Sequence, residues 1–224
     1  MLAPTQCSGC GALDRALCDR CLTGLIAQVH ACRRGDTTVW AALDYSGVAR
    51  RMLGNFKDGG RTDAALALAA PLQQAIAQAL ARAVAQKMAS SDHAAGAPSD
   101  AGIHLVTVPS SAAAFRARGY HPVELMLRHA GLASTPVLDL VTATTDQVGL
   151  GRDERARNKT GSLRARGSLA AFRCLIVDDI LTTGATVLEA RRAVCAAGGD
   201  VLGFAVLAET RRRIPDSKRS PETG

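Results

Sequence analysis

The second half of the chain alternates short apolar runs with segments of helical spacing. Four runs are apolar almost throughout and predict strands, at residues 103–108, 136–141, 174–177 and 201–208. Helices are predicted at about 120–131 and at 185–197, the second closed by Gly198 and Gly199. Strands without a polar face that alternate with helices indicate an α/β fold with a parallel sheet covered on both sides.

The pattern before residue 103 predicts one more strand and two helices. They lie at residues 39–45, at 47–56 and at about 62–88. Thr62 or Asp63 is the expected cap of the last helix, and Pro71 is expected to interrupt or restart it. Residues 89–101 and 142–167 are polar and contain glycine, so both are predicted to be loops.

The two ends of the chain differ from this pattern. Residues 1–35 are polar and rich in cysteine, and residues 211–219 are strongly basic. We therefore divide the chain into a small cysteine module (1–35), an α/β domain (36–210) and a basic flexible tail (211–224).

Composition narrows the classes of function. A chain of 224 residues suffices for one core domain with a small appendage. It lacks a run of about 18 uncharged apolar residues and a typical secretion signal, so we expect no membrane span and a cytoplasmic location. The net charge of +7 favours acidic partners, either phosphorylated small molecules or nucleic acid.

Two aspartates and a hydroxyl-rich loop follow the strand predicted at 174–177. Asp178 and Asp179 are suited to accept hydrogen bonds from two neighbouring hydroxyls, such as those of a ribose. The next residues form an anion site at a helix start; they are Thr182, Thr183, Gly184, Ala185 and Thr186. The alternative is a capped helix beside solvated carboxylates, but a cap requires one such residue, not five. No lysine follows the glycine, which excludes a Walker-type loop.

Residues 174–186 resemble the phosphoribosyl pyrophosphate signature of type I phosphoribosyltransferases. That resemblance implies the type I phosphoribosyltransferase fold, with Asp178 and Asp179 on the ribose and residues 182–186 on the 5′-phosphate. It also implies a magnesium ion that bridges the pyrophosphate and the ribose hydroxyls.

Other segments resemble one subgroup, the competence-associated ComF family. Residues 106–110 (Val-Thr-Val-Pro-Ser) and 115–120 (Phe-Arg-Ala-Arg-Gly-Tyr) are similar to its Val-Pro and Arg-x-x-Arg-Gly-Phe motifs. In type I enzymes the loop after this strand holds the pyrophosphate. The resemblance therefore assigns that role to Pro109, Ser110, Arg116 and Arg118, with a solvated loop as the alternative.

The same resemblance assigns two further residues to the substrate site. Arg155, followed by Asn158, loosely matches the family's Arg-x-x-Asn pattern in a flap that closes over the site. Lys57, in a segment like the family's Leu-Lys-x-x-Gly, would reach a phosphate unless it is an ordinary surface lysine. His121 and Pro122 depart from the family's Asn and Gln, which puts the acceptor contact in doubt.

Four cysteines are spaced as two Cys-x-x-Cys pairs. Cys7, Cys10, Cys18 and Cys21 provide four thiolates for a closed tetrahedral zinc site, a structural ribbon that ComF-like proteins commonly carry. The alternative is two metal-free or reactive pairs. Cys32, Cys174 and Cys195 lack partner spacing, and the five histidines form no ligand pattern.

These features predict a magnesium-dependent phosphoribosyltransferase that releases pyrophosphate. Asp178 and Asp179 would fix the ribose, and one of them would help to activate the nucleophile. The acceptor would be set by residues before 103, which show no base-binding pattern. The alternative is a non-catalytic sugar-phosphate sensor or a nucleic-acid-binding accessory protein in DNA uptake, with single-stranded DNA or uptake proteins as partners. A degenerate, ligand-free domain is a further alternative. The sequence is also compatible with an oligomer.

Overall fold

The computed structural model describes residues 6–90, 102–141 and 160–211. Its helices are α1 (Asp19–Thr23), α2 (Gly47–Asp58), α3 (Ala65–Ser90), α4 (Ala112–Arg118), α5 (Pro122–His129) and α6 (Ala185–Ala196), with a 3₁₀ turn at Thr62–Ala64. Its strands are β1 (His30–Arg34), β2 (Thr37–Asp44), β3 (His104–Thr107), β4 (Leu138–Leu140), β5 (Leu163–Ala165), β6 (Arg173–Leu181) and β7 (Asp200–Glu209).

Five strands form the main sheet in the order β1-β2-β7-β6-β3. The strands β2, β7, β6 and β3 are parallel, and β1 is antiparallel to β2 at one edge. The carboxyl ends of the four parallel strands therefore lie along one side of the sheet, where ligands of such folds bind. The predicted α/β class with a mostly parallel sheet is confirmed.

Helices cover both faces of the sheet. On one face, α2, α3 and α5 pack on the sheet through buried residues such as Phe56, Leu72 and Met126. On the other face, α6 and the β4–β5 pair enclose a second apolar cluster that includes Leu138 and Leu163. The small alanines of α3, among them Ala75 and Ala79, let this helix lie close to the sheet, and they explain a core with few aromatic residues.

The helix α3 differs from its prediction at the start and at the proline. Thr62 and Asp63, expected to cap it, lie in the preceding 3₁₀ turn. The helix then continues through Pro71 without interruption, so that prediction was wrong. A proline in the second turn removes one hydrogen bond, and burial of the neighbouring Leu68 and Leu72 offsets this loss.

The run at 136–141 is not a strand of the main sheet. Its central part, β4, pairs antiparallel with β5 in a separate sheet of two strands. β5 in turn lies inside the segment 142–167 that was predicted to be a loop. An apolar run indicates burial but not the partner strand, and Leu138 is buried here against the α6 face. Residues 142–159 of that loop, like the loop residues 91–101, lie outside the described ranges.

Besides β5 and the 3₁₀ turn, three elements were not predicted: the short helix α1, the strand β1 and the helix α4. The strand β1 lies within the first 35 residues, in the segment assigned to the cysteine module, yet it belongs to the main sheet. The helix α4 occupies a segment expected to be a loop; Ser111 Oγ caps it by accepting from Ala114 N at 3.1 Å. Since α4 buries no residue, it leaves no apolar period in the sequence. The division into three parts stays a prediction, and the tail from residue 212 lies outside the described ranges.

By length and composition alone, the helical segment Thr62–Ala89 would be able to cross a membrane. Half of its most apolar window, however, is buried inside the fold, as in the core helix of a globular domain.

Candidate active site

A cavity of about 410 Å³ lies at the carboxyl ends of the parallel strands. Eight residues predicted for the site line it: Lys57, Pro109, Ser110, Arg118, Asp178, Asp179, Thr182 and Thr186. Tyr45, Thr107, His121 and Glu124, which were not predicted, line it too. Segments far apart in sequence, from α2, β3, α4 and β6, thus meet around one space.

The remaining predicted residues lie elsewhere. Thr183, Gly184 and Ala185 form the turn into α6 between Thr182 and Thr186, and they do not themselves line the cavity. Arg116 is exposed on α4, so it sits on a helix rather than in the expected loop, and it does not line the cavity. Arg155 lies outside the described residues.

The acidic pair belongs to the end of β6 itself. Asp178 pairs with Val206 of β7, and the strand continues to Leu181. Asp179 is buried, with its Oδ2 atom 2.8 Å from Nζ of Lys57. The Oδ1 atom of Asp178 accepts a hydrogen bond from the backbone N–H of Asp179 at 2.9 Å. Two carboxylates are therefore held at fixed positions, and one of them is neutralised by a lysine.

Lys57 is positioned by the α4–α5 segment, which binds the last turn of α2. Arg118 Nε donates to the carbonyl of Lys57 at 2.7 Å, and the hydroxyl of Tyr120 donates to the carbonyl of Phe56. The rings of Phe56 and Tyr120 also pack with centroids 5.4 Å apart, and burial raises the pKa of Tyr120. These contacts satisfy terminal carbonyls of the helix and fix Lys57 beside Asp179.

The loop after β6 turns into α6 at Gly184, where the backbone φ is +87°. Gly184 provides no side-chain cap, and the N–H of Ala185 donates to Oγ1 of Thr183 at 3.3 Å. Hydroxyls of the loop and amides of the helix start therefore lie side by side, a combination typical of anion sites. Behind the loop, Arg34 Nε donates to the carbonyl of Thr182 at 2.8 Å. A Cβ on Gly184 would lie 2.8 Å from Cγ of Arg34, so only glycine fits between the loop and this arginine.

Arg34 belongs to a buried group on β1 and β7 that the sequence did not reveal. Its Nη2 lies 3.3 Å from Oε2 of Glu209, and Oε1 of Glu209 lies 2.9 Å from Nε2 of His30. Burial, together with a hydrogen bond to Glu209, raises the pKa of Cys32 to about 12. Positions 30, 32 and 34 share one face of a strand, so recognising β1 would have brought these side chains together.

The four cysteines of the module converge. Their sulfur atoms lie within 4.8 Å of one another, and Cys18 Sγ is 3.7 Å from Sγ of both Cys7 and Cys10. Zinc–sulfur bonds of about 2.3 Å at tetrahedral angles place sulfurs about 3.8 Å apart, so the spacing fits zinc. Burial raises the pKa of the Cys21 thiol to about 12. Burial also acts to raise the pKa of Cys7, but hydrogen bonds from backbone amides such as that of Gly9 outweigh it and lower the pKa of Cys7 to about 6.

The module is docked on α2 through backbone carbonyls. Asn55 Nδ2 donates to the carbonyl of Ser8 at 2.7 Å, and Arg51 Nε donates to that of Gly9 at 2.5 Å. Arg61, which also pairs with Asp63, donates to the carbonyl of Gln6 at 2.6 Å. The helix that carries Lys57 therefore also carries the cysteine centre.

Comparison with known proteins identifies the class to which this fold and site belong. The family model described as "Phosphoribosyl transferase domain" matches residues 72–222, and the chain belongs to this family. The orotate phosphoribosyltransferase of Pyrobaculum aerophilum is 46% identical over 59 residues, which is 26% of this chain and 31% of that enzyme. The aligned segment therefore spans less than a third of the length of this relative. Arg34, Lys57 and the cysteine centre precede the segment that the family model matches.

Proposed function

We propose that the protein is a phosphoribosyltransferase that binds phosphoribosyl pyrophosphate with magnesium in the 410 Å³ cavity. The observation that carries the proposal is the convergence of Asp178, Asp179 and the hydroxyl-rich loop with the cations of Lys57 and Arg118 around one space. Family membership supports it.

Each group has a place in the reaction. The ribose hydroxyls donate to Asp178 and Asp179, and residues 182–186 with the α6 amides bind the 5′-phosphate. Pro109, Ser110 and Arg118 hold the pyrophosphate, and Lys57 adds positive charge on the same side of the cavity. The bond from the anomeric carbon to pyrophosphate breaks with its electrons on the leaving group, and the acceptor's lone pair forms the new bond. An aspartate receives the acceptor's proton.

The donor set of the cavity fits magnesium. Asp178, Asp179 and Glu124 contribute carboxylates, and Thr107 contributes a hydroxyl, all of them hard oxygen donors. Asp178 and Asp179 would hold the ion together with the substrate. When bound, magnesium neutralises charge on the pyrophosphate and makes it a better leaving group.

Several finer assignments belong to the same proposal. The cysteine centre before a phosphoribosyltransferase domain is the combination that the ComF resemblance implies, and we assign it structural zinc. Arg155, which lies outside the described residues, keeps the flap role that the resemblance implies. Arg116 contributes long-range positive charge from α4. The protein works in the cytoplasm. The alternative role in binding DNA gains no support from the family or the relative.

Binding of phosphoribosyl pyrophosphate tests the proposal. The variant carrying both Asp178→Asn and Asp179→Asn loses two charge-assisted hydrogen bonds of about 1.5–3 kcal/mol each. We expect its affinity, measured by calorimetry with magnesium, to fall roughly 10²–10⁴-fold. Asp139→Asn is the matched control, because this aspartate is on β4 and pairs with Arg166 at the surface.

Catalysis is tested separately. Pyrophosphate release is followed with the substrate, magnesium and a panel of bases and amines, and we expect release with one acceptor class. An unchanged affinity for phosphoribosyl pyrophosphate in the variant with both aspartates replaced would contradict the assignment of Asp178 and Asp179 to the ribose. Binding without release under any acceptor would contradict the transferase activity.

A further inference from the structure

A second group of side chains that could hold a metal ion lies where β1 begins and β7 ends, apart from the cysteine centre. His30 and Cys32 occupy alternate positions of β1, and Glu209 is the last residue of β7. One ligand atom from each lies within 4.8 Å of the others. None of the three lines the 410 Å³ cavity, so they are not part of the proposed substrate site.

Both ring nitrogens of His30 face acceptors. Nδ1 lies 2.7 Å from the backbone carbonyl of Gln28, and Nε2 lies 2.9 Å from Oε1 of Glu209. A neutral imidazole has one N–H, and a carbonyl can only accept it. With the hydrogen on Nδ1, the lone pair of Nε2 points at a carboxylate oxygen. Nε2 therefore has a lone pair available for a metal ion that Oε1 would bind as well.

The outer contacts are those of a metal site. Histidines that bind metals typically donate their other N–H to a carbonyl or carboxylate, and carboxylate ligands are themselves hydrogen-bonded. Gln28 fills the first role here, and Arg34 fills the second through Oε2 of Glu209 at 3.3 Å. These contacts orient the ring of His30 and the carboxylate of Glu209, and one ligand atom of each lies within 4.8 Å of the sulfur of the buried Cys32.

The group is open on one side. A cavity of about 540 Å³ reaches His30, and its wall includes Asp44, Ser46 and Arg211. Oδ1 of Asp44 lies 3.9 Å from Nε2 of His30 and accepts a hydrogen bond from Nε of Arg211 at 2.8 Å. Of the three side chains only His30 lines this cavity, and Cys32 and Glu209 are buried, so a metal ion would enter past His30.

We propose that Nε2 of His30, Sγ of Cys32 and Oε1 of Glu209 bind a zinc ion whose fourth position opens into this cavity. A nitrogen, sulfur and oxygen donor set suits zinc among the common divalent ions. Three protein ligands with an open fourth position distinguish this site from the closed centre of four cysteines.

Cobalt(II) titration of the metal-free full-length protein tests the proposal, because cobalt replaces zinc and its spectrum reports the thiolate ligands. We expect two equivalents to bind, one with four thiolates and one with a single thiolate. His30→Gln and Cys32→Ala should each remove only the single-thiolate equivalent, and Cys10→Ser only the other. His104→Gln is the control, since this partly buried histidine bonds Thr135 and stacks on Phe172.

The possible results separate clearly. Two equivalents in the parent protein, with one lost in His30→Gln and none in His104→Gln, support the site. A single equivalent in the parent would show that His30, Cys32 and Glu209 do not bind the metal, and it overturns the proposal. Retention of both equivalents in His30→Gln overturns it as well. If Cys32→Ala does not fold, His30→Gln still decides, because His30 is partly exposed at the edge of the sheet.

Discussion

Gly184 lies at the point where the phosphate loop passes closest to a buried arginine. Its φ of +87° is costly for any residue with a side chain. The Cβ and Cγ atoms of Arg34 occupy the space that a side chain would need. The glycine thus allows Arg34 to lie directly against the loop and to donate to the carbonyl of Thr182.

Gly184→Ala should lower the free energy of unfolding by about 1–3 kcal/mol, since it combines left-handed strain with overpacking. It should also weaken the binding of phosphoribosyl pyrophosphate, because the loop must move away from Arg34. Urea denaturation and calorimetry measure the two effects.

Gly54→Ala provides the control for that substitution. Gly54 lies in α2 with no atom within 4 Å of an added Cβ, so alanine there should stabilise the protein by up to about 1 kcal/mol. Equal effects at the two glycines would contradict the account of Gly184.

At the scale of elements, one buried carboxylate joins α6 to the small sheet. Glu189 Oε1 accepts from the backbone N–H of Leu163 in β5 at 3.0 Å. Arg192 donates to both oxygens of Glu189 at 2.8 Å, and this is the first cause that lowers the pKa of Glu189. The position of β5, and of the chain that leads into it, therefore depends on an ionised side chain.

Glu189→Gln should lower the free energy of unfolding by about 1–3 kcal/mol at neutral pH, because the charge-assisted bonds are lost. The pKa of Glu189 in the folded protein lies below the ordinary glutamate value. The difference in free energy of unfolding between the parent protein and Glu189→Gln is therefore complete at pH values above that ordinary value. It should shrink as the pH falls through the lowered pKa. Urea denaturation from pH 7 to pH 3 measures the difference.

The surface pair of Asp139 and Arg166 serves as the comparison for Glu189. Its loss in Asp139→Asn should change stability by less than about 1 kcal/mol, because both side chains are exposed. An advantage of Glu189 that stays constant or grows on acidification would refute the ionic account.

The sequence predicted those elements that bury apolar residues. Apolar runs predicted the strands β6 and β7, and the glycines at 198 and 199 predicted the end of α6. The acidic pair was recognised because it directly follows the apolar run of β6. β1 was missed because its buried residues are Cys32 and Arg34, which do not form an apolar period. The sequence therefore revealed residues 182–186 of the loop. It did not reveal Arg34, which contacts this loop from the missed strand β1.

At the scale of the whole molecule, α2 connects the cysteine centre to the substrate cavity. Its middle binds the carbonyls of Ser8 and Gly9 through Asn55 and Arg51. Its last turn carries Lys57, which is paired with Asp179. A change at the cysteines can therefore reach the cavity by shifting one helix.

Cys10→Ser, which removes one ligand of the proposed zinc, should weaken binding of phosphoribosyl pyrophosphate several-fold through displacement of Lys57. Lys57→Met should weaken it too, and the two effects should not add, because both act through the same side chain. Calorimetry on the two single variants and the double variant measures the coupling. Strict additivity would show that the cysteine centre acts on stability alone.

The order of strands also has a consequence for how the chain folds. The strand β7 lies at the centre of the sheet, between β2 and β6, yet it follows both in the chain, and Trp40 pairs with Ala205. A growing polypeptide therefore carries β2 and β6 with unpaired inner edges until residue 209 has been synthesised. Such distant pairings fold slowly and expose strand edges to other chains. We expect nascent chains that stop before β7 to depend on chaperones for solubility.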